Sequence, residues 1–263
     1  MDIDLSHYRE KYLNRRLYYR ILRLEGVKTY KQYLNYIKNN PKEPKIFKEE
    51  MTIHVTHFFR DESPFRYLEK NILPKIGELK ETMGKEEETI HILSAPCSTG
   101  EEPYSLAIIV DFLRKKEILR NPVKIYAYDL DPTVINIAKK GVYKVQSLEK
   151  ISKISKLRNF HKINSEFWRV RKHLKKYIEF GIHDLLTPLH GAKLDLVVCR
   201  NFLIYIDKKN QRKVIHNLVR NLKDDGFLML GKTEGFPLLD SDRFEPVNNR
   251  EHIYKVKSKR RRH

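Results

Sequence analysis

The run from residue 90 to residue 110 constrains the fold more than any other part of this sequence. Its first residues are largely apolar and a helical apolar pattern begins at residue 101, which predicts a buried strand that turns directly into a helix. Open α/β sheets bind ligands in a crevice at the carboxyl ends of their strands, so we expect the active site at this turn. The residues that end the strand and form the turn are small: Ser94, Ala95, Cys97, Ser98 and Gly100.

The residues of this turn limit the kind of ligand. A dinucleotide-binding turn requires three glycines, whereas this turn has only Gly100. Glu101 and Glu102 lie at the expected start of the helix, where they would repel a phosphate group and attract an ammonium group. This favours a cationic small molecule. The alternative is that both acids only favour the positive end of the helix dipole, and the sequence leaves both interpretations open.

The composition predicts a globular protein. The chain has 263 residues, of which 40% are hydrophobic, enough for one large domain or for an α/β domain with a smaller companion. No apolar run approaches the roughly 18 residues of a membrane helix and the N-terminus shows no leader, so we expect a cytoplasmic protein. Cys97 and Cys199 each end a predicted strand, and we expect two buried thiols without a catalytic role.

The formal net charge of +19 is concentrated in three segments. Lysine and arginine exceed aspartate and glutamate by 5 in residues 1–40, by 9 in residues 144–176 and by 6 in residues 255–263. The rest of the chain is close to neutral. Basic flanks on a neutral body suit a polyanionic partner, either a nucleic acid or a glutamate-rich helical bundle, and charge alone does not decide between them.

The N-terminal 50 residues predict amphipathic helices. Apolar residues recur at helical spacing as far as Leu24, Gly26 ends this pattern, and Thr29 suits the N-cap of a second helix. A separate stripe of the first helix is basic, and a simple solvated face is the alternative to a binding function for it. The residues of this stripe are Arg16, Arg20 and Arg23.

A second strand, residues 123–129, is predicted to end in Asp129, 29 positions after Gly100. In nucleotide-binding α/β folds an acid at this place accepts the ribose hydroxyls, and we assign that role to Asp129. Asp131, just before Pro132, is better interpreted as a helix cap. The charged run 74–88 predicts a loop, and the basic run 142–178 predicts a small inserted β subdomain. Further strands are predicted at residues 177–180, 194–199 and 227–230, with an antiparallel pair at 244–247 and 252–256.

The residues from Ser98 to Ser105, Ser-Thr-Gly-Glu-Glu-Pro-Tyr-Ser, resemble the signature of the chemotaxis receptor methyltransferases, the CheR family. The resemblance extends over roughly residues 5–256, in the order of the family's motifs. The further matches are Thr56-His-Phe-Phe-Arg60, Asp129-Leu-Asp131, Cys199-Arg-Asn201 with Tyr205, and Gly231-Lys-Thr-Glu234.

The resemblance implies a Rossmann-like class I S-adenosylmethionine-dependent methyltransferase sheet with an N-terminal α-helical domain and the small inserted β subdomain. We expect the helical domain in residues 1–65 and the methyltransferase domain in residues 66–263. Enzymes of this family transfer a methyl group from S-adenosylmethionine to glutamate side chains of chemotaxis receptors, and the product is S-adenosylhomocysteine. Arg60 and Tyr205 are the catalytic residues that the resemblance implies, and it implies no metal ligand. For Tyr205, a core tyrosine is the alternative.

The same resemblance supplies the expected cofactor contacts and partner. It implies that the basic stripe of the first helix meets the acidic cytoplasmic helical bundle of a receptor. The insert carries a receptor-tail site in some family members, but the loop at Asn164-Ser165 has no glycine, so we expect docking that does not depend on a tail peptide. The expected cofactor-binding residues are His54, Thr56, Arg60, Ala95, Glu102, Asp129, Asp184, Leu185, Arg200 and Asn201.

Two other functions remain open on the sequence. An RNA or DNA methyltransferase of the same fold is favoured by the basic surface, but residues 199–202 read Cys-Arg-Asn-Phe and not the Asn/Asp-Pro-Pro-aromatic loop of amino-methylating nucleic-acid enzymes. A cofactor-binding module without catalysis is disfavoured because both Arg60 and Tyr205 are present.

Overall fold

The computed structural model describes residues 5–51, 56–234 and 242–257. A 3₁₀ turn, Leu5–His7, precedes three short helices: α1 (Glu10–Leu22), α2 (Tyr30–Asn39) and α3 (Glu43–Met51). The predicted Thr29 cap of α2 is confirmed, because the Thr29 hydroxyl accepts the Gln32 N–H while the Gln32 side chain accepts the Thr29 N–H. These helices share a small core around Ile21 and Tyr33.

The connection to the sheet is largely helical, so the loop predicted for residues 74–88 is wrong for residues 74–82, whereas residues 83–88 form turns. Helix α4 (Glu62–Tyr67) continues through a π-type turn into α5 (Leu73–Thr82). The charged residues of α5 concealed its buried face, on which Leu73 and Ile76 lie against the sheet. Lys80 is also buried there, because its ammonium pairs with Glu88 at 2.5 Å.

Lys80 belongs to a compact ion network at the amino ends of the strands. The ammonium of Lys223 lies 2.6 Å from Glu88 and 3.1 Å from Asp195, and Asp195 lies 3.4 Å from Lys80. Hydrogen bonds from Lys223 and Lys80 lower the pKa of Glu88 to about 2. This network fastens residues 80–88 to the amino ends of the strands, opposite the carboxyl ends at which we expect the active site.

Among the described residues seven strands form the main sheet and, with all strands numbered in chain order, they lie in the order β6-β2-β1-β7-β8-β10-β9. The first five of these are parallel, and β10 and β9 complete the sheet as the predicted antiparallel pair. The strands are β1 (Ile90–Ser94), β2 (Val123–Asp129), β6 (Ile178–Ile182), β7 (Leu194–Cys199), β8 (Leu222–Leu230), β9 (Phe244–Asn248) and β10 (Ile253–Val256). The fold class predicted from the sequence is confirmed.

The strand order places a crevice beside β1. From β1 the chain proceeds through β2 to β6 at one edge, and then returns to β7 on the other side of β1. The carboxyl ends of β1 and β7 therefore flank a topological switch point, which is where open α/β sheets bind ligands. Helices cover both faces of the sheet, and the helices that follow its strands are α6 (Glu101–Lys115), α7 (Pro132–Lys140) and α10 (Lys208–Val219).

The insert forms the predicted β subdomain, a three-stranded antiparallel sheet in the order β3-β5-β4. Phe58 is fully buried at its base, with its ring centroid 5.0 Å from that of Tyr143 and 5.2 Å from that of Phe160. Phe58 thereby joins the segment before α4 to the insert. The elements of the insert are β3 (Val142–Lys144), a 3₁₀ turn (Val145–Leu148), α8 (Lys153–Asn159), β4 (Phe160–Lys162), β5 (Phe167–Val170) and α9 (Lys172–Lys175).

Among the described residues, every helix is too short or too polar to span a bilayer. Both cysteines are buried free thiols, as expected.

Candidate active site

The turn between β1 and α6 consists of small residues, and at Gly100 the structure shows a packing reason for this that the sequence did not reveal. Gly100 has φ +98, and a Cβ there would lie 2.8 Å from the Cβ of Ala138 and 2.9 Å from the hydroxyl of Tyr143. The glycine is therefore required by the close packing of the turn against α7 and the insert, in addition to any ligand.

The two acids that begin α6 have different environments. Glu101 is buried and its carboxylate accepts the Thr99 hydroxyl at 2.6 Å, so it serves the turn itself. Glu102 accepts the Ser94 hydroxyl at 2.8 Å, which holds its carboxylate at the carboxyl end of β1. Burial raises the pKa of Glu102, and the guanidinium of Arg200 opposes this shift. Of the two acids, Glu102 is the one that lies at the crevice.

Arg200 joins the crevice to the segment before α4. Its side chain is 1% exposed and lies 2.8 Å from the Asp61 carboxylate and 3.5 Å from the Glu102 carboxylate. The guanidinium also lies over the ring of Phe65, 5.3 Å from its centroid. Arg200 thus meets the crevice through Glu102 and links it to Asp61, a contact that the sequence did not indicate.

Asp129 ends β2 as predicted and is held in place by the backbone. Its carboxylate accepts the N–H of Ser98 at 2.8 Å and the N–H of Asp131 at 3.1 Å. These bonds hold the carboxylate at the carboxyl end of β2, where the expected ribose hydroxyls would meet it. The side chain of Asp131 accepts the N–H of Thr133, which confirms the predicted helix cap.

The loop after β6 carries Asp184 and Leu185. The Oδ1 of Asp184 accepts the N–H of Leu186 at 2.9 Å, which fixes the carboxylate in a turn of the chain. Leu185 is buried in the core cluster that includes Leu93 and Ala95. These contacts place an acid and an apolar wall beyond the carboxyl end of β2.

Three buried polar atoms near these strand ends have no hydrogen-bond partner within the described part of the chain. They are Ser98 Oγ, His183 Nε2 and Arg200 Nε, which follow β1, β6 and β7. Buried polar atoms are almost always paired, so unpaired atoms after three strands of the stretch β6-β2-β1-β7 fit a polar ligand bound at the carboxyl ends of these strands. Together with the acids Glu102 and Asp129, they suit a ligand that carries both an ammonium group and a ribose.

The segment that carries Thr56 and Arg60 is anchored on both sides. The N–H of Phe58 donates to the backbone of the insert at Ser147, and the N–H of Phe59 donates to the Ser105 hydroxyl at 3.0 Å. Phe59 and Asp61 have positive φ angles of 52° and 57°, a conformation that costs energy for residues with a Cβ. This geometry fixes Arg60 between two anchored neighbours.

His54 lies outside the described residues.

The loop after β7 is held by one buried carboxylate. Glu234 is 2% exposed and accepts the N–H groups of Asn201, Phe202 and Leu203 at 2.9, 2.6 and 2.7 Å, as well as that of Gly231 at 2.7 Å. These bonds stabilise Asn201 at φ +58 and start the 3₁₀ turn Leu203–Tyr205. Glu234 therefore orients the loop that carries Tyr205.

Sequence reasoning assigned no site role to Glu234 or Asp61. The Gly231-x-x-Glu234 motif was a usable signal for the first. No pattern in the sequence distinguishes Asp61 from an ordinary helix-capping acid.

Arg16, Arg20 and Arg23 do not form one exposed stripe, and the expectation for Arg20 requires correction. Arg20 makes a two-pronged contact with Glu43, at 2.7 and 2.6 Å, and Glu43 is 2% exposed. The Tyr33 hydroxyl donates to the same carboxylate, so Arg20 is a structural ion-pair residue of the helical domain. Arg23 is 65% exposed beside Glu50, and the guanidinium of Arg16 lies 5.6 Å from the Tyr12 ring centroid.

The chain resembles known proteins along nearly its whole length. Residues 54–253 match the model of the CheR methyltransferase SAM-binding domain, and residues 1–52 match that of the CheR methyltransferase all-alpha domain. The chain is 29% identical over 236 residues to the chemotaxis protein methyltransferase of Borreliella burgdorferi, covering 88% of this chain and 82% of that protein. It is 32% identical over 239 residues to the chemotaxis protein methyltransferase of Salmonella typhimurium, covering 88% and 77%.

The resemblance drawn from the short motifs is thereby confirmed, together with S-adenosylmethionine as the cofactor and S-adenosylhomocysteine as its product. The crevice beside β1 has the unpaired polar atoms and the two acids that this cofactor requires. From its fold, its crevice and the match of both family models, the chain belongs to the CheR family of methyltransferases.

Proposed function

We propose that this protein methylates glutamate side chains of chemotaxis receptors and so acts as a protein-glutamate O-methyltransferase. The observation that carries the proposal is the ion pair between Asp61 and Arg200, at 2.8 Å. It joins the residue next to Arg60 to the residue next to Asn201, in the loop that carries Tyr205. Arg60 and Tyr205, which face the acceptor in this proposal, therefore lie on two segments that this ion pair joins.

The reaction makes few demands on the protein. S-adenosylmethionine, when bound, supplies a methyl group on a sulfonium centre that is already a good leaving group. A glutamate acceptor is ionised at neutral pH, so no general base is needed. The chain must place one acceptor oxygen in line with the methyl group and keep water away from it. In this proposal Arg60 orients the acceptor carboxylate and Tyr205 presents a hydroxyl beside the reacting centre.

The cofactor contacts in the proposal follow from the crevice. Glu102, held by Ser94, would accept the ammonium of the methionine portion, and Asp129 would accept the ribose hydroxyls. Asp184 and Leu185 would hold the adenine, the first as an acceptor and the second as part of an apolar wall. A further set of residues, Thr56, Arg60, Ala95, Arg200 and Asn201, would complete the site.

Docking on the receptor is proposed to be electrostatic, in the cytoplasm, on the acidic helical bundle. Arg23 supports this proposal as an exposed cation, and Arg20 is left out of it because its guanidinium pairs with Glu43. The β4–β5 connection spans only residues 163–166, and Asn164 closes it by accepting the N–H groups of Glu166 and Phe167. This short closed turn supports a docking mode that does not depend on a receptor tail peptide.

Tritium transfer from labelled S-adenosylmethionine tests the proposal. Receptor cytoplasmic fragments should acquire label that mild base releases as methanol, because a glutamate methyl ester hydrolyses whereas an N-methyl group does not. The matched control is a fragment in which the acceptor glutamates are replaced by alanine. Base-stable label, or label in bulk RNA instead of the receptor, would contradict the proposal.

Tyr205→Phe separates the transfer step from cofactor binding. This substitution keeps the ring and removes the hydroxyl, so kcat should fall by about tenfold while the affinity for S-adenosylhomocysteine stays nearly constant. Isothermal calorimetry measures the affinity, and tritium transfer at saturating receptor gives kcat. A fully active variant removes the Tyr205 hydroxyl from the mechanism.

A further inference from the structure

The segment that precedes α1 is attached to the loop after β7. The N–H of Arg9 donates to the carbonyl of Tyr205 at 2.9 Å, and the N–H of Asp207 donates to the carbonyl of His7 at 3.0 Å. The chain between these contacts forms a β-bridge at Tyr8. The position of Tyr8 is therefore set by the same loop that carries Tyr205, although almost 200 residues separate them in sequence.

Three tyrosine rings form a continuous column at this junction. The rings of Tyr8 and Tyr12 are stacked, with centroids 6.0 Å apart and planes 24° apart. The ring of Tyr12 lies against that of Tyr205, with centroids 4.8 Å apart and planes 42° apart. Tyr12 is 6% exposed, so its ring is almost entirely covered by these neighbours and by Arg16.

The surroundings of Tyr8 place its phenol near the cofactor crevice. Burial raises the pKa of the Tyr8 hydroxyl to about 12. The neighbouring Tyr12 and the carboxylates of Asp129 and Asp184 add to this shift. The β-bridge to Ile206 holds Tyr8 beside the loop that follows β7, at the carboxyl ends of the parallel strands, where Asp129 also lies. Its hydroxyl remains protonated at neutral pH and is available as a donor.

We propose that the tyrosine column makes the N-terminal segment part of the active site, with Tyr8 contacting the nucleoside of the cofactor and Tyr12 positioning Tyr205. The inference about Tyr12 rests on the proposed role of Tyr205, whereas the inference about Tyr8 rests only on the cofactor site. Tyr12 is a positioning residue, since it reaches the reacting centre only through Tyr205.

The rings of Tyr8 and Tyr12 suit these two roles through their geometry. An aromatic ring against a nucleoside base contributes stacking, and a tyrosine adds a phenolic donor at little cost in side-chain entropy. Tyr205 lies at the end of a single 3₁₀ turn, where packing on one face is needed to select one rotamer. The Tyr12 ring supplies that face. The column thus places a cofactor contact, Tyr8, and a support for Tyr205, the Tyr12 ring, next to each other.

The experiment uses the full chain with leucine substitutions that remove a ring and keep apolar volume. Tyr8→Leu should weaken the binding of S-adenosylhomocysteine about tenfold in calorimetry, the magnitude of one lost base–aromatic contact. Tyr12→Leu should lower kcat about tenfold with less than about a twofold change in that affinity. Tyr12→Phe keeps the ring and should restore kcat to near the wild-type value.

Tyr18→Leu and Tyr19→Leu are matched controls on α1, the helix that carries Tyr12, because their rings are 53% and 52% exposed and contact each other. Both should bind S-adenosylhomocysteine as the unaltered protein does. Circular dichroism establishes that each variant is folded.

The inference is overturned if Tyr8→Leu binds S-adenosylhomocysteine as the controls do, or if Tyr12→Leu and Tyr12→Phe lower kcat equally. If the unaltered protein does not methylate receptors, the proposed function fails while the calorimetry of Tyr8→Leu still decides the cofactor contact.

Discussion

Replacing Glu234 by glutamine should release the loop that carries Tyr205. One carboxylate oxygen accepts the N–H groups of Phe202 and Leu203, and the other accepts those of Gly231 and Asn201. Whichever oxygen becomes the amide NH₂, two backbone donors will then face another donor. The amide cannot rotate into an orientation that satisfies both pairs.

The structure sets the magnitude. A hydrogen bond to a charged group contributes about 1.5–3 kcal/mol, so the loss of two corresponds to about 3–6 kcal/mol. Burial raises the pKa of Glu234 despite its four backbone donors, which shows that the buried charge itself has a cost. Removing the charge recovers part of that cost, so we expect the lower value of about 3 kcal/mol. For a chain of this size that corresponds to a fall in Tm of about 6–12 °C.

Thermal unfolding followed by circular dichroism measures the effect, and Glu245→Gln is the control. Glu245 undergoes the same chemical change at an exposed position of β9. Glu234→Gln should lower Tm and kcat together, because the loop bears Tyr205, while Glu245→Gln should change neither. A Tm within about 1 °C of the control would refute the reasoning that the carboxylate stabilises the loop.

Three further predictions concern binding, acid stability and docking. Asp129→Ala should weaken S-adenosylhomocysteine binding by about 1–3 kcal/mol in calorimetry, and unchanged affinity would remove Asp129 from the cofactor site. Because its two lysine partners depress the pKa of Glu88 from 4.5 to about 2, its contribution to stability is complete above pH 4.5 and is lost as pH falls towards 2. Urea unfolding measures this loss, with Glu87→Gln as the control. Between pH 4.5 and pH 2 the free energy of unfolding of Glu88→Gln should fall by about 1 kcal/mol less than that of Glu87→Gln, a value that allows for the partial exposure of the Glu88 carboxylate. Arg20→Glu should destabilise the helical domain by about 3–5 kcal/mol, whereas Arg23→Glu should leave Tm unchanged and reduce receptor methylation at low salt. Equal unfolding temperatures for these two variants would contradict the distinction.

Patterns local in sequence predicted the local structure well. The run at residues 90–110 gave both β1 and the start of α6, and continuous apolar runs marked β7 with its observed bounds. The caps at Thr29 and Asp131 followed from residue chemistry within three positions of the helix start. Helix α5 was missed, since its buried lysine made an inward-facing position resemble a solvated one.

Contacts between distant segments could not be predicted in the same way. Arg20 has the spacing of an exposed stripe, and only the position of α3 shows that it forms an ion pair with Glu43. Asp61 pairs with Arg200 across 139 residues, and Arg9 reaches Ile206 across 197. Hydrophobic periodicity specifies which face of an element is buried, but not which element covers it.

The attachment of the N-terminal segment to the loop after β7 has a consequence for how the protein is made. The residues around Tyr8 leave the ribosome before their partners, because Tyr205 and Asp207 are synthesised almost 200 residues later. At about 5–20 residues per second, roughly 10–40 s pass between the synthesis of this segment and that of the loop on which it docks. Helices α1 to α3 can pack during that interval, because their contacts are local. The assembly of the tyrosine column is therefore a late event in the synthesis of the chain, and a nascent protein truncated before β7 has no surface to receive Tyr8.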